Sequence, residues 1–339
     1  MSDAVRAPGR LHTVDLLRGL AALSVAIFHT TNGNPTLMAG EPLAQAGAWG
    51  WLGVDVFFVI SGFVIPYALE RGGYRLRDAG RFLAKRIVRI DPPFFATIAL
   101  TLVLGWVSTQ VPGFRGQPFR VDGVALLLHV GYLTELFGRT WVLPAFWTLA
   151  LEFQYYLAMA LLFPLVHHAR AVVRHLTVAA IAGASLVVTA RPVVPAWGAW
   201  FALGILAHAV RSGRLGRAPF VAAVLACAAI IGTQHTWVQG AVAGATALVI
   251  AFLDLERPRL ATLGAISYSL YLVHEPVGGR VVNLATHFAG RTPWVNAAVV
   301  VASLAVSLAA AWVLYRLVER PSQQLAARIR YAPAGAPRA

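Results

Sequence analysis

The strongest constraint on this chain is the length and spacing of its apolar runs. Ten of them, near 14–31, 50–70, 92–110, 146–166, 175–190, 194–210, 218–232, 238–254, 262–286 and 294–317, alternate with short connections. A helix needs about 20 mostly apolar residues to cross a bilayer, and several runs reach that length. Backbone in lipid has to satisfy its own N–H and C=O groups, which favours helices. The expected fold is therefore an all-α integral membrane bundle of about ten transmembrane helices. Composition agrees: 58% of residues are apolar and 12% charged, against about 25% charged in a soluble domain.

The net charge of +14 does not call for nucleic acid, because the basic residues cluster between the apolar runs. Arg6 and Arg10 precede the first run. Arg81, Lys85, Arg86 and Arg89 follow the second. Arg170 and Arg174 follow the fourth, Arg211, Arg214 and Arg217 the sixth, Arg257 and Arg259 the eighth, and Arg316, Arg320, Arg328 and Arg330 the tenth. With ten crossings these all fall on one side, which the positive-inside rule makes cytoplasmic, together with both termini. This requires that the apolar piece 122–136 does not cross, and its length suits a short re-entrant or outer-surface helix. The surrounding segment 111–145, with Pro112, Pro118, Pro144 and several glycines, is expected to form an irregular outer cap. Residues 1–330 read as one membrane domain, and 331–339 as a disordered cytoplasmic tail. Asp15 and Arg18 interrupt the first run, and no small-residue cleavage site follows it, so it is expected to be an uncleaved span. The lone cysteine, Cys227, allows no internal disulfide, and no metal-ligand spacing stands out.

Five places carry polar chemistry that spans do not need. In the first run Arg18 and His29 are eleven residues apart, about 20° past three whole turns, so they share a helix face roughly 16 Å apart along the axis. Asp15 lies on that face close to Arg18. Ionisable side chains inside a span point to function, although a snorkelling arginine and an interfacial histidine are the plainer alternative. In GVDVFFVISGF, Gly53–Phe63, Asp55 enters the second run at a depth close to His29; it either orients that imidazole or caps its own helix. Ser61 and Gly62 leave room for a close neighbour. In the loop Arg81–Pro93, Arg86 and Arg89 sit one turn apart, suited to bidentate phosphate binding or to anionic lipid, and Pro92–Pro93 then opens the third span. Glu152, within the fourth run beside Tyr155 and Tyr156, is costly unless paired or facing a wet cavity. In ISYSLYLVHEP, Ile266–Pro276, Ser267, Tyr271 and His274 share a face and Glu275–Pro276 breaks or kinks the span; hydroxyls and histidine as interhelical glue is the alternative.

Taken together, these stretches resemble one family, the membrane acyltransferase-3 proteins, from about Val14 to Pro321. The resemblance rests on Arg18, ten residues, then His29; on GVDVFFVISGF; on Phe82, Leu83, Arg86, Arg89, Ile90 and Pro92; on Trp147 through Glu152 to Tyr156; on Leu263 to His274; and on Glu319–Pro321. The DPPFF stretch at Asp91–Phe95 departs from the family pattern. Some members carry a soluble esterase-like domain after the spans; here the chain is expected to act alone or with separate partners.

The resemblance implies transfer of an acyl group, acetyl in the simplest case, from acyl-CoA as co-substrate, with no bound cofactor or metal. The acceptor would be a hydroxyl on a carbohydrate or a glycosylated small molecule, as in polysaccharide O-acetylation. The implied partners are then acyl-CoA, that acceptor and the bilayer, without nucleic acid, in a multi-pass protein of the plasma membrane. The implied catalytic set is His29 as general base with Asp55 or Glu152 orienting it. Arg86 and Arg89 would hold the donor's phosphates, with Arg18, Ser267, Tyr268 and His274 along the donor's path. A polytopic transporter or flippase is the alternative that ten spans and midplane polar groups equally allow.

Overall fold

In the computed structural model, which describes residues 11–33, 42–111, 119–255, 261–288 and 292–331, every regular element is helical. All ten apolar runs lie on helix. Among the described residues six helical stretches are long and apolar enough to cross a membrane: His12–Asn32, Pro42–Arg71, Leu76–Thr109, Pro144–Val166, Arg217–Gln234 and Pro293–Ala327. The chain is therefore a multi-pass membrane protein. The runs 175–190 and 238–254 fall on shorter apolar helices, Ala171–Val187 and Trp237–Phe252.

The first helix, α1 (His12–Asn32), buries Ala22, Val25 and Ala26 on one side. Two short helical turns lead into α2 (Gly53–Arg71). Next comes α3 (Ala79–Thr109). Here the structure differs from expectation: the third span does not begin at Pro92. The helix starts at Ala79 and continues through Pro92 and Pro93, so the single helical turn expected for Arg86 and Arg89 is part of one long helix. A proline inside a helix removes an N–H bond and frees a carbonyl a turn earlier. Here the Tyr268 hydroxyl donates to the Ile90 carbonyl at 2.8 Å, supplying a tertiary bond beside the proline pair.

The outer segment carries α4 (Gly123–Val130). Its eight residues rise about 12 Å, well short of a bilayer core of about 30 Å. Part of the expected cap, 112–118, lies outside the described residues, as do the basic pair Arg257 and Arg259 and the tail 332–339. Then follow α5 (Trp147–Val166), α6 (Ala171–Val187), α7 (Gly198–Arg211), α8 (Arg217–Gln234) and α9 (Trp237–Phe252). Every residue of α7 from Gly198 to His208 is buried, as befits a helix that is apolar all round. It crosses α2 at glycine: a Cβ on Gly62 would meet the Phe201 carbonyl and the Gly204 Cα, and one on Gly204 would meet the Val59 carbonyl.

The run before the last, 262–286, is not a single helix. It comprises a short helical stretch at Ala261–Ala265, α10 (Ser267–Val273), a π-helical turn at His274–Gly278, and α11 (Gly279–Phe288). Pro276 sits in the wide turn, as the expected break at Glu275–Pro276 requires. The chain ends in α12 (Pro293–Leu314), a second π turn at Tyr315–Glu319, and α13 (Arg320–Ala327). Two apolar clusters organise the bundle. One gathers α2 and α5–α9; the other gathers α1, α3, α10 and α12 with the start of α5. Outward-facing Leu157, Leu161 and Leu165 on α5 and Val301, Trp312 and Val313 on α12 remain exposed, a surface suited to lipid.

Candidate active site

Two cavities lie at opposite ends of α1. The inner one, about 100 Å³, opens at the seam between the two apolar clusters. Three guanidinium groups, Arg18, Arg86 and Arg89, line it against two carboxylates, Glu152 and Glu319. The helices explain the gathering. Arg18 comes from the small-residue face of α1, Arg86 and Arg89 from one turn of α3, Glu152 from α5 and Glu319 from the second π turn. Arg86 is buried, with its guanidinium over the rings of Phe82 and Tyr156 at 5.3 and 5.5 Å. Its Nε has no hydrogen-bond partner among the described residues. An unpartnered buried donor is costly, and a phosphate oxygen would satisfy it.

Glu152 accepts from Tyr156 at 2.5 Å and from Ser61 at 3.3 Å. Glu319 accepts from the Ser269 amide and hydroxyl at 3.2 and 2.5 Å and from Gln323 at 2.8 Å. Arg18 lines the same cavity as both carboxylates, Glu319 and Glu152. Glu319 has no assigned role in the sequence reading; its position in the ERP stretch was the only signal.

The outer cavity, about 300 Å³, holds the histidines. His29 Nδ1 lies 3.0 Å from His274 Nε2, and His274 Nδ1 lies 3.2 Å from the Leu270 carbonyl. A carbonyl only accepts, so His274 carries its proton on Nδ1 and accepts at Nε2. His29 therefore donates from Nδ1, which leaves the lone pair of His29 Nε2 for other work. Neither Asp55 nor Glu152 orients His29 here; His274 does.

Asp55 instead accepts from Trp200 Nε1 at 2.6 Å and from Gln239 Nε2 at 3.1 Å. It ties α2 to α7 and α9 and is buried there. Glu152 belongs to the inner cavity. Of the residues expected along the donor's path, Tyr268 lines the inner cavity with the arginines. Ser267 is buried and donates to the Gly264 carbonyl at 2.8 Å, and His274 faces the outer cavity.

Tyr271 and Thr148 stand between the two ends. Both line the inner cavity, and their hydroxyls, 2.7 Å apart, converge with the Ala145 carbonyl. The Tyr271 ring is 5.7 Å from that of His274 and 5.6 Å from that of Phe57. A narrow cationic cavity thus ends one aromatic ring short of a histidine pair with a free nitrogen. Chemically, this arrangement can hold an anion at one end and take a proton at the other.

A family model described as an acyltransferase domain matches residues 11–316. The putative membrane-bound transacylase BcsY of Komagataeibacter xylinus is 30% identical over 360 residues, covering 92% of this chain and 82% of that protein. Acyltransferase MdmB of Streptomyces mycarofaciens is 27% identical over 373 residues, covering 95% and 94%. The O-acetyltransferase OatA of Staphylococcus aureus is 30% identical over 176 residues, which cover 48% of this chain and 26% of that protein. No solved structure matches.

Proposed function

The chain belongs to the membrane acyltransferase-3 family, and from that premise we propose that it moves an acyl group, acetyl in the simplest case, from acyl-CoA to a hydroxyl of a carbohydrate or glycosylated acceptor. The observation that carries this reading is the polarity of the two cavities along α1. Three arginines sit at one end, a histidine with a free Nε2 at the other, and the Tyr271 ring stands between them.

In this reading the donor's phosphates meet Arg86 and Arg89 at the cytoplasmic mouth. The slender pantetheine arm follows α1 past Arg18 and Ala22, over the roughly 16 Å that the helix rise sets between Arg18 and His29. The thioester then reaches the histidines. His29 Nε2 takes the proton of the acceptor hydroxyl as its oxygen attacks the thioester carbonyl. The new O–C bond forms, the C–S bond breaks, and His29 returns the proton to the leaving thiolate. His274 stabilises the charge that appears on His29 by accepting its Nδ1–H throughout. In this reading the chain crosses the plasma membrane ten times with both termini cytoplasmic, so donor and acceptor approach from opposite sides.

Sealed proteoliposomes of known orientation test this. Acetyl-CoA is supplied on the cytoplasmic face and a membrane-impermeant sugar acceptor on the other. Acetylated sugar is expected on the acceptor side, and none with His29→Ala inserted at equal amounts. Product that forms only when both substrates share the cytoplasmic face would overturn the threaded donor.

A further inference from the structure

The π turn that begins at His274 carries more than the imidazole. Glu275 and Arg280, on and just after that turn, line the outer cavity beside His29. Glu275 Oε2 and Arg280 Nε are both withdrawn from solvent with no hydrogen-bond partner among the described residues; the Ala145 backbone amide faces the same carboxylate. Two opposite charges line one small space without forming an ion pair between them among the described residues. Leaving such groups unmade is expensive unless something fills the gap.

The chemistry of the two groups restricts what fills it. A carboxylate only accepts and a guanidinium only donates. An anion would be repelled by Glu275, a cation by Arg280, and a purely apolar group would leave both unsatisfied. A neutral group offering both O–H donors and oxygen acceptors, such as a vicinal diol, serves both at once. The volumes sort the ligands in the same sense. The inner cavity, about 100 Å³, admits a chain. The outer one, about 300 Å³, reaches the lower end of the roughly 300–1,000 Å³ range of small-molecule sites. Val142, Leu143 and Pro144 give it an apolar wall, which suits the C–H face of a sugar ring.

We propose that the outer cavity is a binding site for an uncharged sugar ring, held through neighbouring hydroxyls by Glu275 and Arg280 so that a third hydroxyl meets His29 Nε2. This rests on the acyl-transfer reading for the fate of that hydroxyl, whose oxygen gains the acyl group as the C–S bond of the donor breaks and its proton passes through His29 to the thiolate. Sugar binding itself does not depend on that reading.

The test is saturation-transfer NMR on the full chain in detergent, with a panel of neutral methyl pyranosides and, separately, acetyl-CoA. At least one pyranoside is expected to bind, and Glu275→Gln and Arg280→Gln should each weaken it roughly tenfold or more. Monodeoxy analogues of that sugar should identify one hydroxyl whose loss is non-additive with Glu275→Gln. Retained melting temperature and acetyl-CoA affinity within about twofold show that the variants are folded. If no pyranoside binds, or binding is unmoved in both variants, the proposal is wrong. If sugar binds but acetyl-CoA neither binds nor is consumed, the acyl-transfer reading fails and the sugar site stands.

Discussion

At the scale of single residues, the histidine pair makes the sharpest demand. In the proposed reaction His274 acts only through His29, by accepting its Nδ1–H, so what that reading requires of it is an acceptor at that spot and nothing more. Replacing it with leucine should lower kcat about ten- to a hundredfold, part of the 10²–10⁴ that a general base contributes, with little change in the KM for acyl-CoA. His274→Gln, whose amide oxygen can accept the same hydrogen bond, should recover much of the loss; equal damage from both variants would make His274 a packing residue. Much of the inner site was legible in the sequence: Arg18 and Glu152 are charges inside apolar runs, and Arg86 and Arg89 stand one turn apart in the basic stretch before the third run. The partner of His29 was not legible. It lies 245 positions away, and no spacing rule reaches across a bundle. Asp55 misled for the opposite reason: its depth matched His29, yet Trp200 and Gln239 claim it from two other helices.

At the scale of elements, periodicity located the helices, while two kinds of local chemistry blurred their ends. The Pro92–Pro93 pair reads as a helix start, since a first-turn proline loses no bond. The helix nevertheless runs on through both prolines; the bond from Tyr268 to the neighbouring Ile90 carbonyl packs this stretch against α10. The segment after α3 was expected to be irregular; a buried imidazole ties its helix to its end, alongside the Asp122 cap and the Tyr132–Asp91 bond. His129 donates from Nδ1 to the Ala125 carbonyl at 2.6 Å and accepts at Nε2 from the Val142 amide at 3.1 Å, a pattern that only neutral histidine can make. Burial holds its pKa below the ordinary 6.5. The unfolded segment takes up a proton as pH falls below that value while the folded one does not, so stability declines from about pH 6.5 downward until the folded imidazole itself protonates. Val142 and the two residues after it also line the outer cavity. Amide hydrogen exchange across 122–146, corrected for intrinsic rates, should therefore be slower at pH 7.5 than at pH 5.5, and His129→Gln should flatten that difference. An unchanged pH dependence in the variant would move the effect to another group.

At the scale of the whole molecule, a route that carries one end of a donor across a bilayer is also a potential hole in that bilayer. Both cavities are lined with charged groups, and the partition between them is thin: the Tyr271 ring, the edge of Phe57 and the Thr148 hydroxyl bound to Tyr271. A membrane that stores an electrochemical gradient tolerates almost no leak, so this partition has an electrical duty in addition to any chemical one. The aromatic plug would have to yield to a thin thioester arm and close behind it. Proteoliposomes loaded with a pH-sensitive dye give the measure. With wild-type protein an imposed pH difference should persist nearly as long as in empty vesicles. With Tyr271→Ala it should collapse several-fold faster, and acyl-CoA lodged in the passage should restore the seal. Equal leak rates for wild type and variant would put the barrier elsewhere along α1. Under the proposed donor route, the tyrosine between the two cavities would serve as the insulation of the membrane at this point.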